Sequence, residues 1–380
     1  MNENSNSINI IPDFDQFLKI IEFIPHYLYL EKSPDDKKYF INSTLNCLTN
    51  MKSFIEYLSN FYSNNSSDYR YKLIEKIKDI FDFVKENKNK EDIKYKPDFL
   101  TEVILNKIKL FKNKSNHDPR LLIDNILNIW LNGNNKDEQE SHLLNSLNFL
   151  NIDDNSYEVL NKSSSESNTK PKDINEIAKI NIVIKNNQVC PNLNCKKTNY
   201  FYKSFSTFHF YLMPNLEKEY TLIDCFNDFL KKENEETEYI CEFCSNIFKN
   251  KSDCLFYQLP EQLIILIYYE NILNNYEKFF YSFEEILDFS NCKYIDKNVK
   301  YKKYFLSSFI LCKYPKDENE FFYTLCRKDK DSSFLIYNNN EEKVREHGKV
   351  IKRQTKRLKN DQFDKRQSFP YVLIYTAYEN

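Results

Sequence analysis

Four cysteines in two close pairs constrain this chain more than any other feature. Cys190 and Cys195 form a C-x4-C pair, Cys241 and Cys244 a C-x2-C pair. Zinc takes four soft ligands tetrahedrally, and structural sites close two such knuckles on one ion. A shared ion would fold the segments near 190 and 241 back onto each other, each at a hairpin-like turn. The plainer alternative is four ordinary buried thiols. Ten cysteines in 380 residues, two pairs of them close, fit metal binding in a reducing compartment better than a disulfide framework. The other six (Cys47, Cys225, Cys254, Cys292, Cys312 and Cys326) sit among apolar neighbours and read as core. His209 lies within an aromatic strand and reads as a packed residue rather than a fifth ligand candidate.

Around these pairs the hydrophobic period changes once. Phe40, Leu45, Leu48, Met51, Ile55 and Leu58 recur at helical spacing and predict a helix over about 39–60. A second is predicted over about 67–87. A third starts at Asp118-Pro119, an N-cap acceptor followed by proline at the first helical position. From about 179 the period falls to two. Strands are predicted at Ile180–Ile184, Phe205–Phe210, Leu263–Tyr269, Leu306–Cys312, Phe322–Cys326 and Tyr371–Tyr375, with one helix over about 222–231. Helices followed by strands make an α+β chain. The polar, serine-rich stretch 151–178 reads as a linker. The expected division is a lead-in 1–24, a helical part 25–150, the linker 151–178, a cysteine-bearing part 179–258 and a β-rich part 259–380.

Composition excludes several classes. The only two glycines, Gly133 and Gly348, lie far apart, whereas phosphate-cradling loops need two or three within about eight residues. Lys plus Arg (54) nearly cancels Asp plus Glu (56), which leaves no global field to draw in nucleic acid as a direct ligand or an anionic membrane. No segment reaches the roughly 18 apolar residues of a membrane helix. The N-terminus lacks a signal-peptide pattern, so the cytoplasm or nucleus is expected. The basic segment 349–366 reads as a solvated insertion.

Six boxes, in order, resemble the ubiquitin-specific proteases, the papain-like ubiquitin carboxyl-terminal hydrolases. Tyr39 to Leu48 resembles N-T-C-Y-M-N-S-x-L-Q-x-L through Asn42, Ser43, Leu45 and Leu48. Asn116-His117-Asp118 and the residues to Asp124 resemble Q-Q-D-A-x-E-F-L. The two cysteine pairs match the zinc-bearing fingers. Leu259 to Leu266 resembles L-P-x-x-L-I-I-x-L. Phe322-Tyr323-Thr324 resembles G-H-Y-x-A-Y, and Tyr337 to Val344 resembles F-D-D-x-x-V. The resemblance covers about residues 25–378. It implies a papain-like fold of thumb, palm and fingers, with the thumb at 25–150, the zinc-bearing fingers at 179–258 and the palm at 259–380. Cys190, Cys195, Cys241 and Cys244 would hold a structural zinc.

The resemblance also locates the chemistry, and there this chain departs from it. In the family a cysteine at the N-terminus of the first long helix attacks the isopeptide carbonyl, a histidine moves the proton and an Asp or Asn orients the histidine. Tyr39 stands at the nucleophile position, Phe322 at the histidine and Asn338 at the orienting residue. Pro34 stands where an oxyanion-stabilising Asn would be and offers no donor. A phenol of pKa about 10 does not replace a thiol, and a phenyl ring moves no proton. Loss of a triad nucleophile or base costs on the order of a million-fold. The expectation is an inactive ubiquitin carboxyl-terminal hydrolase-like protein acting as a scaffold in a multiprotein complex, with ubiquitin or a ubiquitinated protein as partner. Asp118 would meet the basic tail of ubiquitin or serve only as a helix cap. The alternative is an active cysteine-type deubiquitinase whose nucleophile or base is displaced; Cys47, eight residues past Tyr39, reads as core.

Overall fold

The computed structural model describes residues 28–30, 39–49, 51, 54, 58, 69–87, 93–95, 98–112, 117–132, 181–212, 221–234, 236–251, 253–269, 284, 286–313, 321–327, 334–338, 357–358 and 368–378. The lead-in 1–24, Pro34 and the linker 151–178 lie outside the described residues. Of the basic segment 349–366, only 357–358 is described.

The apolar run predicted as a strand lies deep inside a sheet. It is β9 (Gln262–Tyr269), buried along nearly its whole length. It pairs antiparallel with β15 (Ser368–Ala377) and parallel with β5 (Phe208–Leu212). The sheet continues from β15 through β11 (Lys303–Lys313), β12 (Phe321–Arg327) and β13 (Phe334–Asn338) to β14 (Arg357–Leu358), and β10 (Ile286–Asp288) joins β11. Both faces are covered, which is why β9 reads as continuous rather than alternating. The period of two still sorts its side chains. Ile264, Leu266 and Tyr268 enter one core and Leu263, Ile265 and Ile267 the other. Val372 and Ile374 of β15 join the first core, Leu373 and Tyr375 the second.

The first core is built with helices. They are α1 (Tyr39–Leu48), α2 (Tyr69–Glu86), α3 (Asp98–Lys107) and α4 (Pro119–Asn132). α1 is buried from Phe40 to Leu48, and its polar positions, Asn42, Ser43, Thr44 and Asn46, are buried too. The helix predicted over 39–60 is interrupted. α1 closes at Leu48, Thr49 forms a turn, and Phe54 and Leu58 are helical and buried again. β1 (Leu28–Leu30) and β2 (Ile93–Tyr95) form a small parallel pair.

The second core joins the sheet to α5 (Leu222–Glu233) and to a three-stranded sheet of β4 (Thr198–Phe205), β3 (Ile182–Val189) and β8 (Asp253–Gln258). α5 starts with a capping box, Thr221 and Asp224 bonding each other's backbone N–H, and carries Lys231 and Lys232 in its last turn, both favourable for a helix of this polarity. Phe226 sits at the centre of an aromatic cluster, 4.6 Å from Phe208 and 4.8 Å from Phe289. The single strand predicted over Phe205–Phe210 is two strands, β4 and β5, broken at Ser206 and Thr207. There the chain leaves the finger sheet for the central one, and the buried Thr207 hydroxyl donates to Asp124 on α4 at 3.0 Å. Beyond the finger sheet project β6 (Glu236–Ile240) and β7 (Ile247–Lys251), a hairpin whose only strand pairing among the described residues is with itself.

Candidate functional site

At the junction of the helical lobe and the sheet, the elements that carry the positions of interest lie against one another. α1, which begins at Tyr39, packs along β12 and β11. In β12, Phe322 faces Cys312 of β11, and its neighbour Tyr323 faces Asn338 of β13. The side chains of Tyr39, Phe322 and Asn338 lie outside the described residues. Next to Tyr39, Phe40 stacks on His117 at 4.9 Å with an interplanar angle of 11°. His117 Nε2 is 3.0 Å from the Phe111 carbonyl oxygen. A carbonyl only accepts, so Nε2 carries the proton and donates it. Among the described residues, His117 is the histidine that the fold brings to the start of α1.

Cys47 is sealed inside the same junction. It is fully buried, and its Sγ lies 3.4 Å from Ser308 Oγ on β11. Burial pushes its thiol up to about 12, the Ser308 hydrogen bond offsetting only part of that. A thiol so placed is neither ionised at neutral pH nor open to a substrate.

Asp118 caps α4, as the Asp-Pro pair predicts. Its Oδ1 accepts from the Arg120 backbone N–H at 2.8 Å. The same carboxylate takes the Arg120 side chain through Nε at 3.0 Å and Nη2 at 2.5 Å, while Nη1 donates to the Ile267 carbonyl of β9 at 2.6 Å. The guanidinium lies 3.8 Å from the Tyr371 ring centre and 4.4 Å from that of Tyr268. Both charged residues are buried. Burial alone would lower the Arg120 pKa, but the Asp118 charge, followed by Tyr371 and Tyr268, holds it well above its ordinary value. Nearby, His209 approaches Asp124 Oδ1 at 3.5 Å and Thr207 Oγ1 at 2.9 Å, and its ring stacks on Tyr268. His209 is thus a packed residue, as expected from its strand.

The four cysteines converge. Cys190 and Cys195 sit in the turn between β3 and β4, Cys241 and Cys244 in the turn between β6 and β7. Their four Sγ atoms lie within 4.8 Å of one another, Cys190 to Cys244 at 3.6 Å and Cys195 to Cys241 at 3.8 Å. Zn–S bonds of about 2.3 Å at tetrahedral angles require S···S distances of about 3.8 Å. The donor set therefore fits one soft, four-coordinate ion. Burial raises the Cys241 thiol, but backbone N–H groups of Phe243 and Cys244 and the neighbouring sulfurs more than offset this and bring it down to about 7. The hairpins are also joined by Tyr239, whose hydroxyl donates to the Val189 carbonyl at 2.8 Å.

Each turn ends in a left-handed residue, Lys196 (φ 47°) after the first pair and Ser245 (φ 58°) after the second. Glycine takes this conformation without a Cβ penalty, and neither of the chain's two glycines lies here. Lys196→Gly and Ser245→Gly are each expected to stabilise the metal-loaded protein by about 0.5–1 kcal/mol, read as an upward shift of its thermal transition.

One face of the finger sheet is open. Lys185, Tyr202 and Leu255 are cross-strand neighbours on it. Lys185 Nζ lies 4.3 Å from the centre of the half-exposed Tyr200 ring and 5.8 Å from that of Tyr257, and Tyr202 meets Tyr257 edge to face at 5.4 Å.

Comparison with known proteins agrees with this geometry. The family described as ubiquitin carboxyl-terminal hydrolase matches residues 37–375. Among solved structures, the chain is similar to one from the SAGA Ubp8/Sgf11/Sus1/Sgf73 DUB module bound to ubiquitin aldehyde. The identity is 14% and the TM-score 0.52, over 90% of this chain and 68% of that one. No curated protein sequence matches the chain. The α+β fold of thumb, palm and fingers expected from the sequence is the fold observed.

Proposed function

Because the chain belongs to the ubiquitin carboxyl-terminal hydrolase family, we propose that it is a member without hydrolase chemistry, which binds ubiquitin or a ubiquitinated protein as a scaffold and carries a structural zinc. The junction carries this reading. α1 packs against β12, and β12 pairs with β13; the residues that the resemblance assigns to the nucleophile, base and orienting positions on these three elements are Tyr39, Phe322 and Asn338. The thiol closest along α1, Cys47, is buried and bonded to a serine hydroxyl rather than an imidazole, which counts against a displaced nucleophile.

Zinc would be held by Cys190, Cys195, Cys241 and Cys244 and would supply no chemistry beyond tying two hairpins together. Affinity for ubiquitin rests on the open finger face, where tyrosines and Lys185 give the amphipathic surface common at protein interfaces. That the structurally similar protein was solved with ubiquitin aldehyde supports this choice of partner. Asp118 contributes at the basic tail with a carboxylate it shares with Arg120, so its contact is weak. The solved neighbour also belongs to a multiprotein module, which supports a place in an assembly, in the cytoplasm or nucleus where thiols stay reduced.

Calorimetric titration with ubiquitin tests the binding. Saturable heat is expected, and Tyr202→Ala with Tyr257→Ala is expected to weaken it about tenfold, roughly 1.4 kcal/mol. No heat at ubiquitin concentrations up to about 1 mM would remove ubiquitin as the partner.

A further inference from the structure

The large apolar side chains that are exposed among the described residues all belong to the fingers: Val189, Leu193, Tyr200, Ile240, Phe243 and Ile247. Four of them gather at the metal-bearing tips. Ile240 and Ile247 are direct cross-strand partners on β6 and β7, 62% and 68% exposed. Strand alternation puts them on the face opposite Tyr239 and Phe248, which turn toward the cysteine cluster. Phe243, 53% exposed, lies in the turn joining those strands, and Leu193, 80% exposed, in the other turn. An exposed Ile–Ile pair is costly to keep at the end of a two-stranded hairpin, where it adds nothing to a core. The hairpin's strand edges are also unpaired among the described residues.

The charges around this patch divide by turn. Exposed Lys196 and Lys197 flank the first, and neither meets a carboxylate among the described residues; Lys197 Nζ lies 4.5 Å from the Phe243 ring centre. Exposed Glu238 and Glu242 flank the second, Glu238 with Lys249 at 3.7 Å. An anionic lipid surface would be drawn to one half and repelled by the other. A folded partner or peptide can match both signs at once.

From the division of charge and the exposed Ile240–Ile247 pair, we propose that the fingertip is a docking surface for a second protein, distinct from ubiquitin, through an apolar segment bearing acidic residues on the side that meets Lys196 and Lys197. The four-cysteine cluster holds the two halves at a fixed spacing, so the surface is preorganised.

The test uses the full chain loaded with zinc and a displayed library of random 16-residue peptides, with affinities of selected peptides measured by fluorescence anisotropy. Selected peptides are expected to combine apolar residues with Asp or Glu. Ile240→Ser with Ile247→Ser is expected to weaken them at least tenfold, and Lys196→Glu with Lys197→Glu to do the same, with recovery when the peptide acids are changed to lysine. Both variants carry their changes on exposed side chains, and unchanged zinc content and thermal transition would show that they fold. Four results would overturn the proposal. They are selected peptides indifferent to both variants, self-association abolished by the isoleucine variant, vesicle binding abolished by it, or loss of the ubiquitin heat in it, which would make the tip part of the ubiquitin site. The last result is separable from failure of the ubiquitin reading, because it requires that the unaltered chain bind ubiquitin.

Discussion

Removal of zinc by a strong chelator is expected to unfold the fingertips while leaving the two large cores intact. The tip has very little else to hold it. Its buried cluster consists of Cys190, Tyr239 and Cys241, far short of a self-sufficient core. One hydroxyl, that of Tyr239, bonds across the hairpins. Structural zinc in small domains supplies on the order of 10 kcal/mol of apparent folding free energy, more than this cluster could replace. Hydrogen exchange followed by mass spectrometry should show protection lost in 189–198 and 236–251 and retained in β9, β11 and β15. Cys241→Ser should give the same pattern without chelator. Full protection of the tips in chelator would mean that the thiols pack without an ion. Protonation of the thiolates has the same sign as chelation, so acid should release the ion and loosen the same segments.

The second large effect is expected at Arg120. Its guanidinium is buried between Tyr371 and Tyr268, bonded twice over to Asp118 and once to the Ile267 carbonyl. Arg120→Met leaves Asp118 as a buried, uncompensated charge, and breaking a buried pair in this way costs about 3–5 kcal/mol. It also leaves the Ile267 carbonyl without that donor. Arg120→Lys keeps the charge but loses the planar fork and the stacking, so it should fall between the two. Arg120→Met combined with Asp118→Asn should recover part of the loss, because the orphaned charge is gone. Denaturant unfolding measures all four proteins. A loss below about 1 kcal/mol for Arg120→Met would place the pair among weak surface bridges and contradict its role as the pin between α4 and the sheet.

What could be read from the sequence was what local chemistry writes locally. The cysteine spacings, the Asp118-Pro119 helix start and the apolar run of β9 each declare themselves within ten residues, and each is where it was expected. Arg120 did not declare itself. Its partners Ile267 and Tyr371 lie far along the chain, and the motif that drew attention to Asp118 carries no sign of the residue two positions on. α3 was missed because its apolar positions, Leu100, Val103 and Ile104, sit in a short, weakly patterned segment. β6 and β7 were missed because, among their described side chains, only Tyr239 and Phe248 turn inward, toward the cysteine cluster; the cysteines, not the alternation, marked that hairpin. The break between β4 and β5 was hidden because Phe205 and Phe208 enter the same core from two different sheets.

The proposed loss of hydrolase chemistry is tested most directly by a ubiquitin carrying a thiol-reactive group at its C-terminus. Incubated with the full chain loaded with zinc, it is expected to form no covalent adduct, and a fluorogenic ubiquitin conjugate is expected to show no turnover above buffer. A stoichiometric adduct on any cysteine, with turnover lost when that cysteine is changed to alanine, would contradict the account.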